Sequence, residues 1–415
     1  MLDWSRLRIW LSSERVQVTL VLFAFALISV LKGIRYPGLW AATHYTFSYE
    51  YGFIKRGLAG TVFYALLGDQ FYKYNVLLSI ISIIFAASLI LLLSLSLRAY
   101  GRRKSFLFPA LVLFSSPAMG FYAHIIGYFD QLGILVISLL LLKSRGWKMS
   151  DGEYFILILS CLCTLVLLHE VMAIFFGPLL FFSLMIRLQE GREAGIKFSD
   201  VRAYLIISVI ILSGLVLAVD YYGTLDVLNL PDLLEHIRSR SDFPPRLDVF
   251  SVITTGAVDH TRNMSPIWSG SFHQRAIMES LLILAPSILS LMIFGYLLVK
   301  RCFPNSGLMP PAFIISCASP FFAHFLGWDI QRWNNMMVFT SFLAILVVYE
   351  SRMISRHEDR PLPLYPLLVV IALNYTSMHF YFDGYGPKLY PFFEHIYHTL
   401  DIIHGRSDLI VRPPV

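Results

Sequence analysis

The sequence predicts an all-α fold, a polytopic bundle of transmembrane helices, and three observations predict it. Of 415 residues, 57% are hydrophobic and only 14% charged, against roughly a quarter charged in an ordinary soluble domain. Mean hydropathy is +0.66. The apolar residues come in continuous runs, without the alternation of an outer-membrane barrel. A soluble chain of this length would form two or three domains, and there are too few charges to cover them. One helical crossing takes about 20 apolar residues, which fits about eleven crossings here. Disordered, fibrous and secreted disulfide-rich classes are excluded by the same composition.

The first apolar run, residues 16–31, follows Arg6, Arg8 and Arg15 and precedes Lys32 and Arg35. Its charge order is that of a signal, but no small-x-small cleavage site follows, so it reads as an uncleaved anchor. Next comes a long loop, 32–75. Within its stretch 57–74, Leu58, Val62, Phe63, Leu66, Leu67 and Phe71 fall near helical spacing, which predicts an amphipathic helix lying in the membrane interface. Apolar runs follow at 76–97, 106–119, 125–142, 154–168, 171–186 and 204–219. The fifth and sixth runs are nearly contiguous and read as a tight hairpin. A second long loop, 220–275, carries Pro231, Pro244, Pro245 and Pro266, and the last runs are 276–299, 311–325, 336–349 and 364–380. Residues 1–380 thus form a transmembrane domain and 381–415 a short tail.

Charge sets the expected orientation. With the amino terminus in the cytoplasm, one side holds Arg6, Arg8, Arg15, Arg98, Arg102, Arg103, Lys104, Lys143, Arg145 and Lys148. It also holds Arg187, Arg192, Lys197, Arg202, Lys300, Arg301, Arg352, Arg356 and Arg360, making nineteen of the 33 basic residues. The rest lie mostly in the two long loops, where the positive-inside rule has least force. With an odd number of spans, the sequence therefore predicts a cytoplasmic amino terminus and a carboxyl terminus on the outer side. The net charge of +6 needs no nucleic acid to explain it, and no basic stripe carries the stacking aromatics that nucleic acid would use. Cys161, Cys163, Cys302 and Cys317 lie in or beside apolar runs. The first two, at i and i+2 of a helix, point to different faces and make a poor metal pair.

Ionisable residues at membrane depth are costly, so each is a functional candidate. Four groups fall at the outer ends of the predicted spans: His44 and Glu50 with Lys55 and Arg56; His124 and Asp130; His169 and Glu170; and His324, Asp329 and Arg332. His379, Asp383 and Lys388 form a weaker fifth. Each has a plainer reading. Glu50 can pair with Lys55 or Arg56 in solvent, His169-Glu170 can lock two helices, and Asp329 and Arg332 can form an i,i+3 salt bridge. Convergence on one membrane face favours function. The acids Glu50 and Asp130 suit a general base or, alternatively, a divalent cation such as Mg or Mn, and Arg332 suits bidentate capture of phosphate. An interfacial helix beside them suits a lipid substrate entering sideways.

This layout resembles the GT-C superfamily of polytopic glycosyltransferases, which use polyprenyl-phosphate-linked sugars. The likeness rests on Glu50 in the first outer loop with its adjoining helix, and on Asp130 in Tyr128-Phe129-Asp130-Gln131-Leu132. It rests also on His169-Glu170-Val171-Met172-Ala173 with Pro178 at the hairpin, and on Arg332. Glu50 stands alone where the family usually has paired acids, and His169-Glu170 stands where it has Lys-Gly. The resemblance implies transfer of a sugar from a polyprenyl-phosphate-linked donor to a glycan or glycolipid acceptor on the periplasmic face, in bacterial envelope polysaccharide or glycolipid assembly. It implies that Glu50 or Asp130 deprotonates the acceptor while Arg332, with Lys55 or Arg56, stabilises the departing lipid phosphate. His44, His124, His169, Glu170 and Asp329 would then line the substrate site. Alternatives are an O-antigen-polymerase-like enzyme, or a secondary transporter or flippase. Transporters favour midplane charges and internal repeats, whereas here the charges lie at span ends and no repeat is evident.

Overall fold

Continuous Leu, Ile, Val and Phe runs fold as helices because a backbone in lipid must satisfy its own hydrogen bonds. The computed structural model describes residues 13–144, 149–190, 195–256, 259, 261–262, 270–327, 329–351, 354, 364–377, 379–381 and 384–388. In chain order the described α-helices of seven or more residues are α1 (Glu14–Gly33), α2 (Leu39–Tyr45), α3 (Gly57–Leu67), α4 (Tyr74–Arg102) and α5 (Leu107–Ser115). They continue with α6 (Pro117–His124), α7 (Phe129–Ser144), α8 (Asp151–Leu168), α9 (Met172–Gln189) and α10 (Phe198–Gly223). Then come α11 (Leu230–Arg240), α12 (Ser271–Cys302), α13 (Met309–Ala318), α14 (Ile330–Glu350) and α15 (Leu364–Thr376). A short antiparallel pair, β1 (His379–Tyr381) and β2 (Gly384–Lys388), follows. Of the expected tail, residues 389–415 lie outside the described residues, as do Asp383, Arg6, Arg8, Arg145, Lys148, Arg192, Arg352, Arg356 and Arg360.

Among the described residues each apolar run is helical over most of its length, but fewer are long enough to span. Among the described residues, seven helices have the length and hydropathy to cross a membrane: α1, α4, α8, α9, α10, α12 and α14. The number is eight if the pair Lys104–Ser115 and Pro117–His124, bent by 50°, counts as one. Three others, Phe129–Leu142, Met309–Phe325 and Leu364–Thr376, are shorter apolar helices. The expectation of about eleven spans thus becomes seven or eight that meet the length criterion. The bend has a local cause. Pro117 opens α6 and holds Ser116 in extended backbone (φ −70°, ψ 151°), since the residue before proline avoids the helical region. These long apolar helices make the chain an integral membrane protein.

The amphipathic helix expected over 57–74 is a different object. It is α3, eleven residues without a charge, followed by a 3-10 turn at Gly68–Tyr72. Gly57, Ala59 and Gly60 are buried, while Val62, Leu66 and Leu67 are 47%, 72% and 40% exposed. A Cβ on Gly60 would lie 2.0 Å from the Phe47 carbonyl oxygen, so α3 touches the backbone of the 45–47 turn. Two-sided polarity appears instead in α11, where Leu233 and Ile237 are buried and Asp232, Glu235 and Arg238 are exposed. These two residues join Phe47, Ile54, Val249, Phe250 and Ile253 in a small second core that fastens the two long loops together.

The main core centres on α14, which is buried along its length. At its carboxyl end Glu350 meets Arg98 (3.2 Å) and Arg102 (2.6 Å), and nearby Lys104 pairs with Glu14 at 2.7 Å. At its amino end lies Arg332. Eighteen residues of helix, at 1.5 Å each, separate Arg332 and Glu350 by about 27 Å. The basic connections and the candidate site residues therefore occupy opposite ends of the bundle.

Candidate functional site

A tight turn before α7 brings Asp130 into the bundle. Gly127 has φ +96°, and a Cβ there would sit 2.7 Å from Ala41 Cβ, so only glycine fits without strain. The Gln131 side chain ties the turn, accepting from Gly127 N and donating to the Tyr122 carbonyl, each at 3.0 Å. Asp130 is fully buried. Arg332 meets it side-on, Nε to Oδ2 at 2.5 Å and Nη2 to Oδ1 at 2.8 Å. Its Nη1 donates to Asp329, just before α14, at 3.0 Å. The Tyr128 ring lies 5.3 Å from the Arg332 guanidinium, and Trp40 stacks on Tyr128 at 4.5 Å between centroids.

A second pair adjoins the first. Arg56 precedes α3 in left-handed backbone, φ 63°, a conformation that disfavours non-glycine residues and is found at functional sites. Its Nη2 donates to Glu170 Oε1 at 3.1 Å, its Nη1 lies 3.0 Å from His44 Nε2, and its buried Nε has no hydrogen-bond partner. Glu170, at the tip of the α8–α9 hairpin, keeps Oε2 without a hydrogen bond and 3.5 Å from His169 Nδ1. Burial opposes ionisation of Glu170, but Arg56 and His169 outweigh it and hold the carboxyl well below its usual range. Burial also pushes His169 down to about 4 and, reinforced by Arg56, keeps His44 well below the ordinary imidazole value. Both rings are neutral at pH 7. Trp40 joins the two ion pairs into one cluster, its ring centroid 4.1 Å from that of His44, which meets Arg56, and 4.5 Å from that of Tyr128, which meets Arg332.

Other sequence candidates fall elsewhere. Glu50 lies with the second loop, where Arg240 Nη1 stands 2.8 Å from each of its oxygens. The Tyr72 hydroxyl donates to it at 3.4 Å and His236 Nε2 is 3.7 Å away. Burial raises the Glu50 pKa, and the Arg240 hydrogen bond and charge more than reverse this, leaving it below the usual value. Its partner is therefore neither Lys55 nor Arg56. Lys55 instead bonds Asp220 at 2.6 Å and the Thr255 carbonyl at 3.0 Å. His124 is buried, and its carbonyl accepts from Arg35 Nε at 2.7 Å. His324 bonds Asn334 at 2.8 Å inside the core. Asp329 and Arg332 do form the i,i+3 pair that the spacing allows, with Asp130 added to it.

The sequence assigns no role to Trp40, Tyr128 or Arg35. Arg35 flanks the first span, and a basic residue on the sparsely charged face is itself a signal. A divalent cation does not fit Glu50 and Asp130. Asp130 and Glu50 each direct both oxygens at a guanidinium, and among the described residues no three His, Cys, Asp or Glu side chains converge to hold a metal. No protein-family model, curated protein or solved structure matches the chain.

Proposed function

We propose that the protein is a GT-C-like membrane glycosyltransferase that takes a sugar from a polyprenyl-phosphate-linked donor and passes it to a glycan or glycolipid acceptor. The reaction is assigned to the periplasmic face of a bacterial inner membrane, at the bundle end holding Arg56, Asp130, Glu170 and Arg332. One observation carries this reading: Arg56 and Glu170 are paired, yet each retains a buried polar atom without a hydrogen bond. Such atoms are costly to leave unmatched, and both suit the substrates of glycosyl transfer.

The donor phosphate competes with Glu170 for Arg56, to which it can bind through the vacant Nε as well as Nη2. Released from its guanidinium, Glu170 becomes a stronger base and accepts the proton of the acceptor hydroxyl. That oxygen bonds to the anomeric carbon as the bond from carbon to phosphate oxygen breaks, and the lipid phosphate departs on Arg56. Arg332, clamped by Asp130 and Asp329, is a fixed brace beside the reaction rather than a mobile contact. Asp130, with both oxygens engaged, serves as its positioning residue. The exposed apolar side of α3 gives the lipid donor a lateral approach next to Arg56.

The test is sugar transfer by the purified protein in vesicles supplied with a polyprenyl-phosphate sugar. Glu170→Gln is expected to lower kcat about 10²–10⁴-fold, the usual worth of a general base, with donor binding retained. Arg56→Ala is expected to weaken donor binding more than Arg56→Lys, which keeps charge without the fork. Unchanged turnover in Glu170→Gln would overturn the assignment.

A further inference from the structure

Far from this site, the connection between α12 and α13 borders an open cavity of about 790 Å³ lined by Tyr296, Lys300, Asn305, Ser306, Pro310 and Pro311. It lies at the basic end of the bundle. The Ile277 carbonyl, early in α12, faces Asn334 near the start of α14, and α12 then runs on through Lys300 to Cys302. Lys300 stands 5.1 Å from the Tyr296 ring centroid and is exposed. Ser306 is only 5% exposed, and its hydroxyl has no hydrogen-bond partner. The turn is braced from outside: a Cβ on Gly195 would come 2.3 Å from the Asn305 carbonyl oxygen.

A second cavity, about 460 Å³, opens between α8, α9, α10 and α13 and shares Pro311 and Ile315 with the first. Its lining is apolar but for Ser208, and includes Leu162, Gly177, Phe181, Met185 and Leu205. Along α9 it extends from Met185 to Ala173, about 18 Å at 1.5 Å per residue. One leaflet of hydrocarbon is about 15 Å deep, half of the usual core. A polar mouth with a lysine and an unmatched hydroxyl thus adjoins, across Pro311 and Ile315, a groove the length of one acyl chain.

We propose that these two adjoining cavities together bind an anionic diacyl phospholipid, with its phosphate on Lys300 and the Ser306 hydroxyl and one acyl chain in the groove beside Ile315. Charge complementarity selects the anionic class, as basic pockets between membrane helices do for acidic headgroups. Water alone does not account for the site, because the groove offers it almost no polar partner. The proposal is independent of the glycosyl-transfer reading, since none of its residues belongs to the Arg56–Glu170 cluster.

Native mass spectrometry of the full-length protein, offered equal amounts of phosphatidylglycerol and phosphatidylcholine with the same chains, tests it. Phosphatidylglycerol is expected to be retained preferentially. Lys300→Ala should cut that preference about fivefold, the worth of one lysine near an anionic headgroup, while Lys300→Arg should keep it. Ile315→Trp, which fills the junction of the two cavities, should expel the lipid. Should that variant fail to fold, the wild-type protein must still melt at higher temperature with phosphatidylglycerol than with phosphatidylcholine. Equal retention of both lipids, or an unchanged preference in Lys300→Ala, overturns the proposal. So does displacement of phosphatidylglycerol by undecaprenyl phosphate in wild type, which would make the groove a substrate-tail channel.

Discussion

Arg332 directs all three of its nitrogens at carboxylates inside the bundle, so its truncation leaves Asp130 charged, buried and unpaired. Breaking one side of a buried pair typically costs about 3–5 kcal/mol. Arg332→Ala and Asp130→Ala are each expected to lose stability of that order in detergent unfolding, and the double variant to lose less than the sum of the two. An additive double variant would mean the pair is not coupled. Glu50 gives the contrasting expectation. Its carboxylate is bound to Arg240 away from the Arg56–Glu170 cluster, so Glu50→Gln should leave sugar transfer within a few-fold of wild type, whereas a general base is worth about 10²–10⁴-fold. The sequence singled out Asp130, Glu170 and Arg332 because charge is rare in apolar runs. It could not pair them. Arg332 and Asp130 stand 202 residues apart and Arg240 and Glu50 190, and no local spacing encodes such contacts, whereas the Asp329–Arg332 contact at i,i+3 was readable.

Elements carry these side chains to their places through a few close approaches. α3 bears Arg56 at its start and rests on the 45–47 backbone through Gly60, where a Cβ would meet carbonyl oxygens at 2.0 and 2.5 Å. Gly60→Ala is therefore expected to cost about 1–3 kcal/mol, the range for overpacking, and to weaken donor binding by moving Arg56. Full stability together with unchanged donor binding would contradict that packing. α11 is held to the first loop partly by Glu50 and Arg240, and this link responds to pH. The folded Glu50 pKa lies below its ordinary value, so its contribution is complete above the unfolded pKa, about 4.3, and is lost as pH falls through the lower folded value. Hydrogen exchange in α11 should accelerate across that acidic window, and Arg240→Ala should remove the pH dependence. The helices themselves were legible, since apolar continuity marks them. The break at Ser116-Pro117 lay inside one apolar run, and α11 lay in a loop read by its prolines, although Leu233 and Ile237 stand at i,i+4.

On the scale of the whole molecule, everything proposed for the Arg56–Glu170 cluster requires that end of the bundle to face away from the cytoplasm. By the positive-inside rule, the described basic clusters at the other end, Arg98 and Arg102 on Glu350 and Lys104 on Glu14, are expected on the cytoplasmic side. The test needs single cysteines. Cys161, Cys302 and Cys317 are buried and Cys163 partly so, so replacing all four by alanine or serine removes little surface reactivity. Gln70 and Glu235 are exposed near the site end, and Lys104 and Gly152 are exposed at the other. In intact cells whose outer membrane passes the reagent, a membrane-impermeant maleimide is expected to label Gln70→Cys and Glu235→Cys. Lys104→Cys and Gly152→Cys should react only after the inner membrane is opened. The reverse pattern would put the cluster in the cytoplasm, where a lipid-linked donor would have to be used on the opposite leaflet. Labelling of Gln70→Cys and Lys104→Cys from the same side would be more damaging, because α4 joins these two positions. At 29 residues it is about 44 Å long, more than the roughly 30 Å of hydrocarbon it must cross, and same-side labelling would mean that it does not cross.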